Sequence, residues 1–156
     1  MIVAVASDHA GMPLKQVILE VVCEAGHELL DLGADSDSVS DDYPDYAKKI
    51  GQVIQRGEAE RGILLCGSGV GACIAANKLE GIYAGTCHDT YSAHQGVEHD
   101  AMNVLCIGAR VVGSQLAKEI AQAFLGAHFI GNEPGQERHK RRVDKVRKME
   151  IRIGEH

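Results

Sequence analysis

The sequence predicts an α/β domain: a mainly parallel sheet of five strands, helices on both of its faces, and one extra helix at the C-terminus. Three observations carry that expectation. Short β-branched runs alternate with longer helical patterns, giving the order βαβαβαβαβα that a parallel sheet needs. The 156 residues are one domain's length, and 45% hydrophobic with 24% charged residues can both fill and cover one core. Eighteen glycines against three prolines supply tight turns and close backbone approaches rather than a proline-rich linker.

Each element follows from its local pattern. Ile2–Ala6 is a buried strand, and Met12–Ala25 a helix with Pro13 in its first turn and Gly26 as its stop. Residues 27–31 form a second strand. A polar loop then leads to a helix over about 44–56, ending before Gly57. Gly62–Cys66 is the third strand, followed by a helix of small residues over 69–79, which can pack close to its neighbours. Ile82–Thr86 is a fourth strand, 89–98 a helix, and Val104–Gly108 a fifth strand. Residues 114–125 form an amphipathic helix, and a last helix spans about 136–149. No internal repeat or low-complexity segment interrupts this order.

Composition narrows the function. A net charge of −6 disfavours broad nucleic-acid binding, and only six aromatic residues give no base-stacking signature. No apolar run reaches membrane-spanning length, and the N-terminus lacks a secretory pattern. The five cysteines are an odd set without a CxxC pair, mostly inside apolar runs, which fits reduced thiols in a cytoplasm.

Ligands of open parallel sheets bind beyond the carboxyl ends of the strands. Those ends carry Ser7-Asp8-His9, Cys66-Gly67-Ser68-Gly69-Val70-Gly71, Cys87-His88-Asp89 and Gly108-Ala109-Arg110. The CGSGVG segment has neither Walker A spacing nor the full dinucleotide fingerprint. It admits two readings: a turn that needs glycine for close strand–helix packing, or amides aimed at a small anionic intermediate. Cys66, just before a helix N-terminus, is placed to ionise more easily than a free thiol, which suits a proton carrier or nucleophile. Cys23, Cys73, Cys87 and Cys106 read as small buried hydrophobes. Asp8-His9 is either a turn pair with Asp8 as a local cap, or a carboxylate and imidazole facing a polar ligand. His88-Asp89 offers similar chemistry, but Asp89 suits the N-cap of the helix after it. The eight histidines include no HxH or HxxxH pair, so no metal site is expected. Residues 136–148 hold seven of the sixteen Lys and Arg; Arg138 and Arg142, four apart, share a helix face and could grip a phosphate, or simply be solvated.

Taken together, these blocks carry a resemblance. SDHAG at 7–11, DDYPDYA at 41–47, GILLCGSGVGACIAANK at 62–78, EHDAMNVLCIGARVVG at 98–113 and ERHKRRV at 137–143 follow one another in an order and spacing that resemble the ribose-5-phosphate isomerase B (RpiB/LacAB) family over nearly the whole chain. The resemblance implies a Rossmann-like three-layer α/β sandwich and a single isomerase domain over 1–156. It also implies a dimer or a tetramer of dimers, a sugar-phosphate substrate, and no cofactor or metal. The segment from about 136 to 156 is then a helix and tail expected to pack on a partner subunit.

By the same resemblance, Cys66 is the base moving a proton between C2 and C1, and His99 the acid that opens the sugar ring. Gly67, Ser68, Gly69, Val70 and Gly71 form the loop holding the enediolate oxygen, with Ser68 also relaying protons. Asp8 and His9 lie near ring hydroxyls and phosphate, and Asp8 also takes the anomeric proton. Arg110, Arg138 and Arg142 contact substrate and phosphate, and Tyr43 lines the pocket. Two positions depart from the common pattern: Ser68 replaces a threonine, keeping the hydroxyl, and Asp100 replaces an asparagine, losing an amide donor and adding charge. The second bears on which sugar is held: ribose 5-phosphate, or allose or galactose 6-phosphate. A non-catalytic phosphate-binding module on the same sheet is the alternative from another class; a thiol hydrolase lacks an oriented Cys–His–acid set. Finally, His99 precedes the fifth strand while Cys66 ends the third. A five-residue strand spans roughly 17 Å, so the expectation is that a partner chain brings His99 to Cys66.

Overall fold

The computed structural model describes residues 1–150; the end of the expected C-terminal tail, 151–156, lies outside the described residues. Strand β1 (Ile2–Ser7) leads through a single 3₁₀ turn, His9–Gly11, into α1 (Met12–Glu24). β2 (Glu28–Asp31), α2 (Tyr43–Gln55), β3 (Arg61–Cys66) and α3 (Val70–Ala76) follow. β4 (Ala84–Thr86), α4 (Thr90–Asp100), β5 (Val104–Gly108), α5 (Ser114–Gly126) and α6 (Glu137–Arg147) complete the order. The five strands form one sheet in the order β2-β1-β3-β5-β4, and every pair is parallel. This is the expected α/β sandwich.

Alternation along the central strands builds two cores. Val3, Val5, Ile63, Leu65, Leu105 and Ile107 face α1, α4 and α5, where Ile18, Ile120 and Phe124 close the layer. Ala4, Ala6, Leu64, Cys66, Val104 and Cys106 face α2 and α3. This second layer is mostly alanine and cysteine, with Ile50, Leu64 and Ile82 its larger members, and is the thinner of the two. Cys66 points to this thinner side because β3 alternates Leu64 and Cys66 against Ile63 and Leu65.

Five elements are shorter than the sequence pattern suggests: α1 and α6 lose one and three residues at their ends, and three others are cut by specific backbone and side-chain contacts. The third helix starts at Val70, because Gly69 is left-handed at φ 82°, and stops at Asn77, whose side chain turns back to bond the backbone of Ala84. β4 begins at Ala84 because the Tyr83 amide donates to the Asn103 side chain rather than joining a ladder. β2 begins at Glu28, since the His27 amide is still closing the end of α1 on Val22. Among the described residues no helix is long and apolar enough to cross a membrane.

β1 and β3 are neighbours, yet the chain leaves β1 toward β2 and leaves β3 toward β4, on opposite sides. That reversal opens a crevice at their carboxyl ends, where the side chains of such sheets meet ligands.

Candidate active site

At this crevice the backbone sets the side chains. The Asp8 amide donates to Leu65 O at 3.1 Å, which fixes Asp8 beside the end of β3. Its Oδ1 accepts the Gly11 amide at 3.0 Å, so Asp8 caps the first turn, as the plainer of its two readings had it, while lining the cleft as well. A Cβ on Gly11 would stand 2.5 Å from Leu65 backbone, so only glycine lets this turn sit on β3. Cys66, 4% exposed, lies at the cleft floor, and its Sγ accepts the Gly69 amide at 3.1 Å.

The glycine loop packs closely and also leaves amides open at the cleft. A Cβ at Gly71 would meet the Tyr43 ring at 2.7 Å, so close packing needs the glycine. Yet the amides of Gly67, Ser68 and Gly71 have no partner among the described residues. Two members of the expected anion-binding set are otherwise engaged: Gly69 donates to the Cys66 sulfur and Val70 to Ser68 Oγ at 3.2 Å. Neither Gly69, left-handed at φ 82°, nor Val70 lines the cleft. The open donors are thereby narrowed to three. Arg110 lies over the loop, with Nη1 3.1 Å from where a Gly67 Cβ would be. Asp8, His9, Tyr43, Cys66, Ser68 and Arg110 all border this cleft of about 340 Å³.

The remaining predicted residues form a second group. His99 ends α4, and its ring stacks on His139 of α6 at a centroid distance of 4.0 Å. Gln95 Nε2 lies 3.1 Å from His99 Nδ1, and Glu98 Oε1 is 3.5 Å from its Nε2. Arg138 and Arg142 stand exposed beside His139, and Asp100 is exposed at the end of α4. None of His99, Asp100, Arg138 and Arg142 lines the Cys66 cleft. The reason is register: Cys66 pairs with Gly108 and Gly62 with Val104. Four residues, about 13 Å of strand, therefore separate the Cys66 level from the start of β5, and His99 lies before that start.

Sequence reading missed three residues. Asp41 Oδ1 is 2.9 Å from both the amide and Nδ1 of His9, and Asp41 Oδ2 accepts from the Tyr46 hydroxyl at 2.8 Å. One ligand atom each of Asp8, His9 and Asp41 falls within 4.8 Å of the others, a grouping that histidine spacing alone could not reveal. Their near sides are taken up with each other and with Gly11. His139 is buried at 3% exposure; its spacing of four from Val143, also buried, was the available signal. Of the cysteines read as inert, Cys87 and Cys106 are buried, Cys73 is half-buried, and Cys23 is exposed on α1, so the buried reading fails for Cys23. A hydrogen bond from Cys106, opposed by burial, draws the Cys73 thiol down to about 6. Asp89 does cap α4, accepting the Ser92 amide at 2.6 Å, and His88 Nε2 accepts the Gly108 amide at 2.9 Å.

Comparison with known proteins places this geometry. The sequence profile described as Ribose/Galactose Isomerase matches residues 3–146. The chain belongs to this isomerase family. Ribose-5-phosphate isomerase B of Escherichia coli (strain K12) is 43% identical over 150 residues, 96% of this chain and 97% of that protein. D-erythrulose-4-phosphate isomerase of Pectobacterium atrosepticum is also 43% identical, over 83% of this chain and 85% of that one. A solved structure of Clostridium thermocellum ribose-5-phosphate isomerase B superposes with a TM-score of 0.89 at 40% identity, covering 96% and 97% of the two chains. This member of the isomerase family is thus an aldose–ketose isomerase of sugar phosphates.

Proposed function

We propose that the protein interconverts ribose 5-phosphate and ribulose 5-phosphate through an enediolate, with Cys66 as the base. One observation carries the reading: the buried Cys66 sulfur shares its cleft with three amides, those of Gly67, Ser68 and Gly71, that have no partner among the described residues. Removing a proton next to a carbonyl needs a base on one side of the carbon and fixed dipoles where the oxygen gains charge. In this reading His99 protonates the ring oxygen while Asp8 takes the anomeric proton, giving the open aldehyde. The Cys66 thiolate then removes the C2 proton, the electrons move to O1, and the three amides hold that oxygen. The thiol returns the proton to C1, with Ser68 passing a proton between O2 and O1. Arg138, Arg142 and His9 take the phosphate, and Arg110 and Tyr43 hold the sugar.

Because His99, Arg138 and Arg142 stand apart from the Cys66 cleft of their own chain, the site is read as completed by a second copy. The exposed Val70 and Ile74 of α3, beside the cleft, suit such a contact. The unpaired cysteines accord with a reducing cytoplasm.

A different sugar is the second reading, favoured by Asp100 and by the erythrulose-phosphate relative. Purified protein and an Asp100→Asn variant should be offered four-, five- and six-carbon aldose phosphates. Highest kcat/KM on ribose 5-phosphate is expected. A preference for another length replaces the substrate but keeps the reaction, and no turnover of any leaves a binding module.

A further inference from the structure

We infer that Asp41 is a positioning residue: it holds the His9 imidazole with its proton on Nδ1 and so presents Nε2 to the phosphate end of the cleft. The inference rests on the proposed reading for its ligand, but the geometry stands without it. Asp41 enters from the loop before α2, 32 residues along the chain, and one oxygen takes two contacts from His9, the amide and Nδ1, each at 2.9 Å. A carboxylate only accepts, so the ring nitrogen facing it carries the hydrogen. The Asp41 amide also lies 3.3 Å from Nδ1, but that nitrogen cannot both donate and accept. The shorter, charge-assisted contact decides. With Nδ1 taken, Nε2 is the ring nitrogen left for a ligand, as donor to a phosphate oxygen when the ring is charged or as acceptor from a hydroxyl when it is neutral.

The carboxylate is itself clamped. Tyr46 holds its second oxygen at 2.8 Å. Burial pushes the Asp41 carboxyl up, but the His9 amide, the His9 ring and the Tyr46 hydroxyl together outweigh it and hold the group below its ordinary value. The same contact pushes the Tyr46 hydroxyl up to about 12, so it remains a donor. Three donors on one half-buried carboxylate leave His9 little freedom to turn. His9 borders the Cys66 cleft while Asp41 does not, which separates the group that meets ligand from the group that aims it.

The test uses the full chain. Long-range ¹H–¹⁵N spectra, taken where the ring is neutral, should show His9 protonated on Nδ1. In Asp41→Ala this preference should vanish, and KM for ribose 5-phosphate should rise about tenfold, the worth of one charge-assisted hydrogen bond, with kcat within about twofold. Asp41→Asn keeps an accepting oxygen and should restore the tautomer and most of the affinity. On a His9→Ala background, Asp41→Ala should cost nothing more. Tyr46→Phe, which keeps the carboxylate, should act in the same direction more weakly and serves if Asp41→Ala does not fold. Inorganic phosphate titrated against the His9 signals should bind about tenfold more weakly to Asp41→Ala. If the wild type turns over no sugar phosphate, the functional reading fails while the tautomer and phosphate titration still decide on Asp41. A wild-type ring protonated on Nε2, additive losses in the double variant, or no rescue by asparagine would each overturn the positioning role.

Discussion

The two edges of the sheet hold their polar groups by different means. At the carboxyl edge the backbone does the holding: Asp8 is tied to Leu65 and Gly11, Cys66 receives the Gly69 amide, and Arg110 is fixed through its own amide on Gly67 O at 3.0 Å. At the other edge, side chains on two helices hold one another: His99 stacks on His139, and Gln95 and Glu98 flank it. The first edge has a buried thiol and loop amides without partners among the described residues, and of those residues Arg110 is the one Lys or Arg bordering its cleft. The second has a histidine and two exposed arginines, but no thiol or open loop amides among its described members. Each group lacks what the other displays. The proposed reaction needs both, and a strand of about 13 Å stands between them.

Mixing experiments give the sharpest break of that comparison. Cys66→Ala and His99→Ala should each lose about 10²–10⁴-fold in turnover, the usual worth of a general base or acid. If the halves come from different chains, unfolding and refolding the two inactive variants together should restore turnover. Mixed oligomers then pair an intact Cys66 with an intact His99. Mixtures no more active than their parts would show that each chain completes its own site. Solvent deuterium exchange at C2 separates the two defects on an open-chain substrate analogue: His99→Ala should still exchange, and Cys66→Ala should not.

A smaller effect is expected from the arginines. Arg138→Ala and Arg142→Ala should each raise KM for the sugar phosphate by about 10- to 100-fold through loss of a charge-assisted contact, with kcat less affected. The comparison also requires that neither change disturb the fold, since both side chains are exposed on α6 while His139 and Val143 hold that helix down. Unchanged KM would make α6 a solvated helix and return the phosphate to Arg110 and His9.

What could be read from sequence divides along the same line. The carboxyl edge is local: Ser7-Asp8-His9 and Cys66 through Gly71 are contiguous at strand ends, so chain order alone brings them together. The separation of His99 from Cys66 was also legible, because it follows from strand direction. Asp41 and His139 were not, because their partners lie in other elements: His9 is 32 residues from Asp41, and His99 meets His139 across a helix pair. Periodicity marks a buried face but not which ring it will meet. The extent of α3 was misjudged because one backbone angle at Gly69 and one side-chain bond at Asn77 set its ends, neither of which a run of small residues records.

The smallest expected effect is on stability in acid, and it concerns the second edge alone. His139 is buried, its Nε2 has no hydrogen-bond partner among the described residues, and burial pushes its imidazole below the ordinary 6.5. Electrostatic repulsion from the neighbouring His99, Arg138 and Arg142 pushes the same way, and Asp100 opposes it. A histidine lowered by folding is charged more readily in the unfolded chain. Its contribution is therefore complete above the unfolded value and is lost as pH falls through that value toward the lower folded one. Below pH 6.5 the α4–α6 corner should weaken before the carboxyl edge does. His139→Phe retains a ring to stack on His99 and cannot take a proton. Urea midpoints of the two proteins should differ by a constant amount above that pH, and below it the wild type's should fall relative to the variant's. Parallel curves throughout would mean that unfolding does not change the proton uptake of this ring, and the acid weakness of the α4–α6 corner would have to come from another group.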